Sequence, residues 1–293
     1  MKIKLIEDRA AGFVMLSLTL LALLLVLVIG VGLVLKSIPI LEDRSLWSLL
    51  SGSTWKPLAG EFGFLPFIMG TMWVTFLAIA WTLPLGLLTA IFLTENSRPW
   101  VRKAVYPVLD ILAGLPSVVY GVWGVLVVVP WIANHLSGEF STGYTVLAGG
   151  IVLGIMVLPL MVSLFVELFS ATAQDVREAS LNLGATRWQT TKFVLLRKNF
   201  PGIMATIILS ISRAMGETIA VLMVCGNIVQ IPSSPLDAGY PLPALIANNY
   251  GEMLSVPLYE SALMFAALIL FVVVFVFNIV SRIILRRIEN KYI

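Results

Sequence analysis

The sequence predicts an all-α protein that crosses a membrane six times, with both termini in the cytoplasm. Of its 293 residues, 59% are hydrophobic and only 12% are charged, whereas soluble domains carry about 25% charged residues. An apolar run of roughly 20 residues is long enough to cross a bilayer as a helix. Six such runs occur, at residues 13–35, 67–93, 104–133, 144–169, 202–227 and 261–285.

The lysine and arginine residues predict the orientation of these spans. Most of them fall in four segments, residues 1–12, 94–103, 170–200 and 282–293, while residues 134–143 and 228–260 contain none. Loops rich in Lys and Arg stay on the cytoplasmic side, so these four segments, and with them both termini, are expected inside. The formal charge of +3 thus comes from residues beside membrane ends, which gives no indication of nucleic-acid binding.

Three parts are predicted along the chain. Residues 1–66 form a retained first helix and an outside loop, since the apolar run is too long for the core of a signal peptide. Residues 67–285 form the main membrane domain, and residues 286–293 form a short basic tail. The single cysteine, Cys225, lies in the fifth apolar run, so neither a disulfide within the chain nor a cysteine metal cluster is expected.

The third apolar run is interrupted at residues 113–124, which contain Pro116 and three glycines. Proline removes a backbone donor and kinks a helix, which membranes tolerate where protein or a water-filled path satisfies the freed groups. The segment is therefore either the lining of a path, with Ser117 as a candidate, or a tightly packed kink with small residues at a helix interface. These two interpretations are compatible.

A polar stripe is predicted along the fifth apolar run. Thr206, Ser210, Arg213 and Glu217 are spaced by four, three and four positions, which places them within an arc of about 60° on a helix. A charge at the bilayer centre costs roughly 2.5–3.5 kcal/mol on insertion scales, so Arg213 and Glu217 need a partner or a cavity. They either pair as a structural ion pair or line a path for an anion.

An oxyanion fits this stripe chemically. The guanidinium of Arg213 offers a planar fork of donors, and the two hydroxyls add neutral donors. Glu217 either neutralises Arg213 or accepts a hydrogen bond from a protonated oxyanion. Phosphate carries such a proton near neutral pH and sulfate does not, so the stripe predicts a phosphate path.

Residues 175–198, here called the coupling segment, lie between the fourth and fifth runs. They contain Glu178-Ala179-Ser180, three residues, Gly184, nine residues and Val194-Leu195-Leu196-Arg197. This spacing resembles the coupling-helix signature of type I ABC importer permeases, Glu-Ala-Ala, three residues, Gly, nine residues and Ile-x-Leu-Pro. Ser180 and Arg197 replace the second Ala and the Pro. The alternative is a basic amphipathic loop that lies on anionic lipid.

Two further segments sharpen the resemblance. Residues 212–221, Ser-Arg-Ala-Met-Gly-Glu-Thr-Ile-Ala-Val, and residues 115–121, Leu-Pro-Ser-Val-Val-Tyr-Gly, resemble the permeases of the phosphate-specific (Pst) ABC uptake system, the PstC-type subunits in particular. With the coupling segment, the matches cover roughly the central half of the chain.

The resemblance implies a MetI-like type I importer fold, with residues 67–285 as the permease domain, in a bacterial inner membrane. It implies a heterodimer with a PstA-like sister permease, two ABC ATPase subunits and an extracytoplasmic phosphate-binding protein. Residues implied in the path of inorganic phosphate are Arg213, Glu217, Ser210, Thr206 and Ser117. Residues implied in coupling to the ATPase are Glu178, Ala179, Ser180 and Gly184.

The sequence gives no indication of catalysis by this chain. It contains no Gly-x-x-x-x-Gly-Lys motif and no Gly-Lys pair, so ATP-Mg is expected on a partner ATPase and no cofactor on this chain. A permease for another oxyanion and an ATP-independent secondary transporter remain alternatives. A membrane enzyme would need a catalytic cluster that the sequence does not show.

The proline-rich outside loop at residues 231–243 predicts a stiff, ordered surface. Such a loop suits contact with a solute-binding protein, and a plain surface loop is the alternative.

Overall fold

The computed structural model describes the backbone of residues 2–136, 142–251 and 258–292 and the side chains of residues 11–136, 142–251 and 258–286. The predicted all-α class is confirmed, because the described chain is helical apart from loops and one short antiparallel pair of strands. That pair, β1 (Trp55–Lys56) and β2 (Glu61–Phe62), places Trp55 opposite Phe62. The helices are α1 (Lys2–Asp43), α2 (Leu46–Ser51), α3 (Leu65–Ile91), α4 (Pro99–Gly114), α5 (Ser117–Trp123), α6 (Val129–His135), α7 (Val146–Ser170), α8 (Gln174–Asn182), α9 (Arg187–Gln189), α10 (Leu196–Lys198), α11 (Phe200–Met215), α12 (Ile219–Val224), α13 (Leu242–Asn249) and α14 (Tyr259–Tyr292).

Five stretches of the described residues are long and apolar enough to span a membrane. They are Ala11–Asp43, Leu65–Asn96, Ser117–His135, Val146–Ser170 and Tyr259–Arg286. A sixth span exists if Arg187–Lys198 and Phe200–Met215, which meet at a bend of 69°, cross together. The predicted count of six is therefore reached through a broken helix. The placement of both termini inside stays a prediction.

The third predicted span is divided in two. Residues 104–133 do not form one helix, because α4 ends at Gly114 and α5 begins at Ser117. Pro116 has no N–H to donate and disfavours a helical residue before it, and Leu115 is extended, with ψ 136°. The hydroxyl of Tyr120 donates to the Leu112 carbonyl oxygen at 2.6 Å, which satisfies an acceptor at the break. Only residues 117–135 form the span.

The fifth predicted span is also interrupted. Residues 202–227 do not form a continuous helix, because α11 ends at Met215 and α12 begins at Ile219. The N–H of Gly216 donates to the Arg213 carbonyl oxygen at 3.2 Å in a tight final turn. The helix that carries the predicted stripe thus ends two residues before Glu217.

The core of the membrane domain lies where α3 packs along α7. Gly150 and Gly154 of α7 face Leu77 and Trp81 of α3, where an added Cβ would overlap these side chains. The Trp81 indole N–H donates to the Gly150 carbonyl oxygen at 3.3 Å. Small residues that permit close backbone approach are the usual basis of helix packing in membranes. This helix pair is therefore the rigid centre against which α4, α11 and α12 pack.

A second cluster lies at the outside face, where aromatic rings of several segments meet. Trp55 makes edge contacts with Phe62, Phe64 and Phe67, with centroids 5.1–5.5 Å apart. Helix α1 packs along α14, and Lys36 pairs with Glu260 at 3.0 Å where these two helices meet near the cluster. The boundaries proposed at residues 66 and 285 remain predictions.

The outside loop is held by hydrogen bonds. One Asp237 carboxylate oxygen accepts bonds from the Ser233 hydroxyl, the Ser233 N–H and the Ser234 N–H at 2.8–2.9 Å. The carbonyl oxygens of Asp237 and Pro235 accept the N–H groups of Val146 and Leu147, both at 2.9 Å. The loop thus satisfies two donors in the first turn of α7, in agreement with the predicted stiff surface.

Candidate functional site

The predicted stripe does not stay on one face of the molecule. Thr206 and Ser210 are buried within the chain, whereas Arg213 is exposed. The Thr206 hydroxyl donates to the Gly202 carbonyl oxygen at 3.1 Å. The Ser210 hydroxyl is fully buried and has no hydrogen-bond partner among the described residues. These two hydroxyls therefore face the packed interior, and the guanidinium faces outward.

Arg213 presents its charge on the surface of the single chain. No carboxylate of the described residues lies within 4.0 Å of its guanidinium. The ion pairs among the described residues are Lys36–Glu260, Arg44–Asp43 and Arg177–Glu95, and Arg213 is in none of them. The structural ion pair with Glu217, one of the two predicted alternatives, is therefore absent from the described chain. Arg213 interacts electrostatically with Tyr120 of α5, so the exposed charge lies towards the broken third span.

Glu217 lies in the break between α11 and α12 and is half-buried. Its Oε1 accepts a hydrogen bond from the N–H of Ala220 at 3.4 Å, which satisfies one free donor of the first turn of α12. The side chain lines a cleft of about 10 Å³ with Thr71, Thr75 and Pro241, among others. Glu217 thus lies beneath the outside loop, and the local sequence pattern gave no indication of the two threonines.

Ser117 is the first residue of α5 and is half-buried. It follows the break at Pro116, and the same helix packs closely on α12, where an added Cβ on Gly121 would overlap Met223. The two breaks, at Pro116 and at Gly216, are therefore joined by a close helix contact. Residues 113–124 are tightly packed at Gly121 and exposed at Val118 and Val119. This fits the interpretation as a packed kink, while the lining of a path stays a prediction.

The coupling segment folds as two short helices around Gly184. Helix α8 begins at Gln174, four residues before Glu178, and Gly184 has φ +84°, a left-handed conformation that favours glycine. The next helix begins with a capping box, in which the Thr186 hydroxyl accepts from the backbone N–H of Gln189 at 3.2 Å and the side-chain Oε1 of Gln189 accepts from the backbone N–H of Thr186 at 2.8 Å. Gly184 therefore forms the turn between the two helices.

The two halves of the coupling segment are joined through Ser180. Its hydroxyl lies 2.9 Å from the Thr190 hydroxyl, so the half-buried Ser180 side chain contacts its own chain. Its role in coupling to the ATPase stays a prediction. Glu178 and Ala179 remain exposed. The most exposed large apolar side chains here are Leu183, 89% exposed, and Trp188, 60% exposed. These two side chains were not among the predicted coupling residues.

Arg177 ties the coupling segment to the membrane helices. Its guanidinium pairs with Glu95 at 3.1 Å and donates to the carbonyl oxygens of Phe169 and Thr172 at 2.6 and 2.7 Å. It therefore satisfies acceptors at the end of α7 and holds the segment that follows α3. Glu95 was missed in the sequence, because 82 positions separate it from Arg177 and no local pattern joins them.

A polar cavity of about 570 Å³ lies beside this ion pair. Its lining includes Glu95, Arg102, Arg177, Arg187 and Thr190. Within the described residues, no group of three His, Cys, Asp or Glu side chains is arranged to hold a metal ion.

The fold and these two sites define a class: a polytopic membrane protein with a segment of short helices, held by an ion pair, between its fourth and fifth spans. Residues 82–292 match the family described as binding-protein-dependent transport system inner membrane component. The chain belongs to this family, and is therefore a multi-pass membrane subunit of a transport system.

Relatives agree with this assignment. The chain is 40% identical over 235 residues to the probable ABC transporter permease protein YqgH of Bacillus subtilis (strain 168). The match covers 80% of this chain and 75% of that protein. It is 33% identical over 261 residues to the phosphate transport system permease protein PstC of Xylella fastidiosa (strain Temecula1), covering 83% and 80%. It is also 33% identical over 269 residues to the probable phosphate transport system permease protein PstC of Methanocaldococcus jannaschii, covering 86% and 85%.

The fold is shared with a solved transporter. A chain of the MetNI methionine ABC transporter, in an inward facing conformation, aligns with a TM-score of 0.59 at 18% identity, covering 75% of this chain and 93% of that one. At this identity the likeness concerns the fold alone. It confirms the predicted MetI-like type I importer fold.

Proposed function

We propose that this chain is the permease subunit of an ATP-driven phosphate uptake system and forms half of the translocation path. It pairs with a PstA-like sister permease, receives phosphate from an extracytoplasmic binding protein and is driven by two ATPase subunits that bind ATP-Mg. The names of the relatives support phosphate as the solute, and the coupling segment supports an ATPase partner.

The observation that carries the proposal is the exposed guanidinium of Arg213. A charge at membrane depth is costly unless it faces protein or a water-filled path, and within the described chain Arg213 has no carboxylate partner. The facing surface therefore belongs to a sister permease, and the path runs between the two. An Arg fork on this path binds the oxygens of an oxyanion.

Glu217 determines the selectivity for phosphate over other oxyanions. Of the two carboxylate oxygens of Glu217, only Oε1 accepts a hydrogen bond from the described residues, from the backbone N–H of Ala220 at 3.4 Å. The carboxylate can therefore accept further hydrogen bonds. It accepts a hydrogen bond from the P–OH group of phosphate and repels fully deprotonated sulfate. Thr206 and Ser210 face the interior, so Ser117, at the exposed break, is the hydroxyl that joins Arg213 on the path.

The test is vanadate-sensitive uptake of labelled phosphate into liposomes that contain the purified complex and its binding protein. Arg213→Gln is expected to lower uptake about ten- to a hundredfold, since a hydrogen bond to a charged group contributes roughly 1.5–3 kcal/mol. Glu217→Gln is expected to reduce the preference for phosphate over sulfate. Ser212→Ala is the matched control, because Ser212 bonds to Asn278 on another side of α11.

Three outcomes contradict the proposal. Wild-type uptake in both Arg213→Gln and Glu217→Gln removes these residues from the path. Competition by sulfate as strong as that by phosphate indicates a permease for another oxyanion. Phosphate flux in vesicles that hold this chain alone, without an ATPase, indicates a secondary transporter.

A further inference from the structure

A groove of about 870 Å³ lies between α1, α11 and α14, on another side of α11 from the cleft of Glu217. This volume falls in the range of roughly 300–1,000 Å³ that is typical of ligand sites. Its walls are mostly aliphatic and aromatic, with Val26 and Leu33 on α1 and Leu270 and Phe271 on α14. The groove belongs to helices that span the membrane, so apolar material fills it.

The polar groups in the groove are already satisfied within the chain. The Ser212 hydroxyl donates to the Ile208 carbonyl oxygen at 2.9 Å and lies 3.3 Å from the Asn278 amide oxygen. The Asn278 amide N–H donates to the Val274 carbonyl oxygen at 2.8 Å. These side chains do not need a polar ligand, and an apolar chain can lie over them without leaving a donor unpaired.

A positively charged side chain lies at one end of the groove. Arg282 lines it and is exposed, and no carboxylate of residues 11–136, 142–251 and 258–286 lies within 4.0 Å of its guanidinium. This is the end of α14 that is predicted to be cytoplasmic. Basic pockets between membrane helices on that side bind anionic headgroups.

The length of the groove suits one leaflet. From Ala267 to Arg282 along α14, a rise of 1.5 Å per residue gives about 22 Å. One leaflet is about 20–22 Å thick when its headgroup region is included. An acyl chain therefore fits in the groove while its headgroup phosphate lies at Arg282.

We infer that this groove binds an anionic phospholipid, with the acyl chains between α1 and α14 and the headgroup phosphate on Arg282. The lipid contacts Ser212 and Gly216, which also line the groove, and so lies against the break between α11 and α12. A purely zwitterionic or neutral lipid would leave the Arg282 charge without a matching net charge. The charge at one end therefore distinguishes this site from the ordinary lipid contact of an apolar helix surface.

The test is native mass spectrometry of the purified transporter complex after removal of lipid and addition of defined phosphatidylglycerol and phosphatidylcholine. The wild type is expected to retain phosphatidylglycerol in preference, and Arg282→Gln to lower that preference about fivefold, the factor for one cation near an anionic headgroup. Arg98→Gln is the matched control, since Arg98 is exposed at the start of α4 and does not line the groove.

A second variant tests the groove without removing the charge. Ala267→Phe narrows the groove and is expected to reduce retention of phosphatidylglycerol while Arg282 is intact. A photoreactive amino acid in place of Leu270 is expected to form adducts with lipid. Equal preference in Arg282→Gln and the wild type, an equal loss in Arg98→Gln, unchanged retention in Ala267→Phe, or adducts at position 270 with a protein helix only would each overturn the inference.

Discussion

The guanidinium of Arg177 lies 3.1 Å from the carboxylate of Glu95, with both side chains at most 21% exposed. The pair joins the coupling segment to the end of the helix that begins at Leu65. The same guanidinium donates to two carbonyl oxygens at the end of α7. Movement of the coupling segment is therefore transmitted to both helices of the rigid α3–α7 centre.

Loss of this joint is expected to uncouple the transporter. Arg177→Gln should destabilise the segment by roughly 1.5–3 kcal/mol, the range for hydrogen bonds to charged groups, and lower phosphate uptake more than ATPase activity. A double-mutant cycle with Glu95→Gln should show non-additive effects on uptake. Lys198→Gln is the control, because Lys198 is an exposed cation of the same segment that takes no part in this pair. Strictly additive effects would show that the pair does not couple.

The exposed side chains of the coupling segment are expected to bind the ATPase. Leu183 and Trp188 are 89% and 60% exposed, and Trp is enriched among the residues that contribute most to binding at interfaces. Trp188→Ser should weaken co-purification with the ATPase about thirtyfold, as for an interface residue that contributes roughly 2 kcal/mol.

Phe193→Ser provides the control for that experiment. Phe193 is 50% exposed in the same segment and lies against Lys192 and Arg197, at 5.3 and 5.8 Å. Its substitution should leave association with the ATPase close to that of the wild type. A similar loss in both variants would mean that the segment had unfolded, and no loss in Leu183→Ser and Trp188→Ser would place the docking surface elsewhere.

The close packing of α3 on α7 is expected to tolerate no side chain at Gly154. A Cβ there would overlap the Trp81 ring, and overpacking of a well-packed core costs roughly 1–3 kcal/mol. Gly154→Val should therefore lower the unfolding temperature in detergent and reduce the yield from membranes. Gly32→Val, where a Cβ meets nothing within 4 Å, should behave as the wild type. Equal stability of both variants would contradict the packing described.

The outside loop is expected to loosen in acid. The Ser233 hydroxyl and the N–H groups of Ser234 and Ser233 hold the pKa of Asp237 below its usual value. A carboxylate whose pKa is depressed by folding stabilises the loop above its unfolded pKa of about 3.9, and this stabilisation is lost as the pH falls through the folded pKa. Protection of the loop amides from hydrogen exchange should thus persist down to about pH 4–5 and then fall.

The Asp237→Asn variant separates the contribution of this carboxylate from the intrinsic effect of pH on the rate of amide exchange. The variant should exchange faster at neutral pH, and the difference from the wild type should shrink in acid. Asp110→Asn, on an exposed residue of α4, should leave loop exchange unchanged. If Asp237→Asn matched the wild type at neutral pH, the carboxylate would not hold the loop.

Much of the fold follows from the sequence because the signals are local. Apolar runs of spanning length, a glycine at the left-handed position 184 and the spacing around Glu178 each depend on neighbouring residues only. The prediction failed where a span is broken. Gly216 has the same appearance in the sequence as a small packing residue, and nothing nearby indicates that α11 ends before Glu217.

The sequence by itself determined the class of the molecule, its likeness to importer permeases and the residue types of the candidate path. Only the tertiary structure decided which way each side chain points. Thr206 and Ser210 turn inward and Arg213 outward because α11 packs on α3 and α7 with one face. Likewise, Arg177 meets Glu95 only when distant segments assemble, since burial and close packing act between residues that are far apart along the chain.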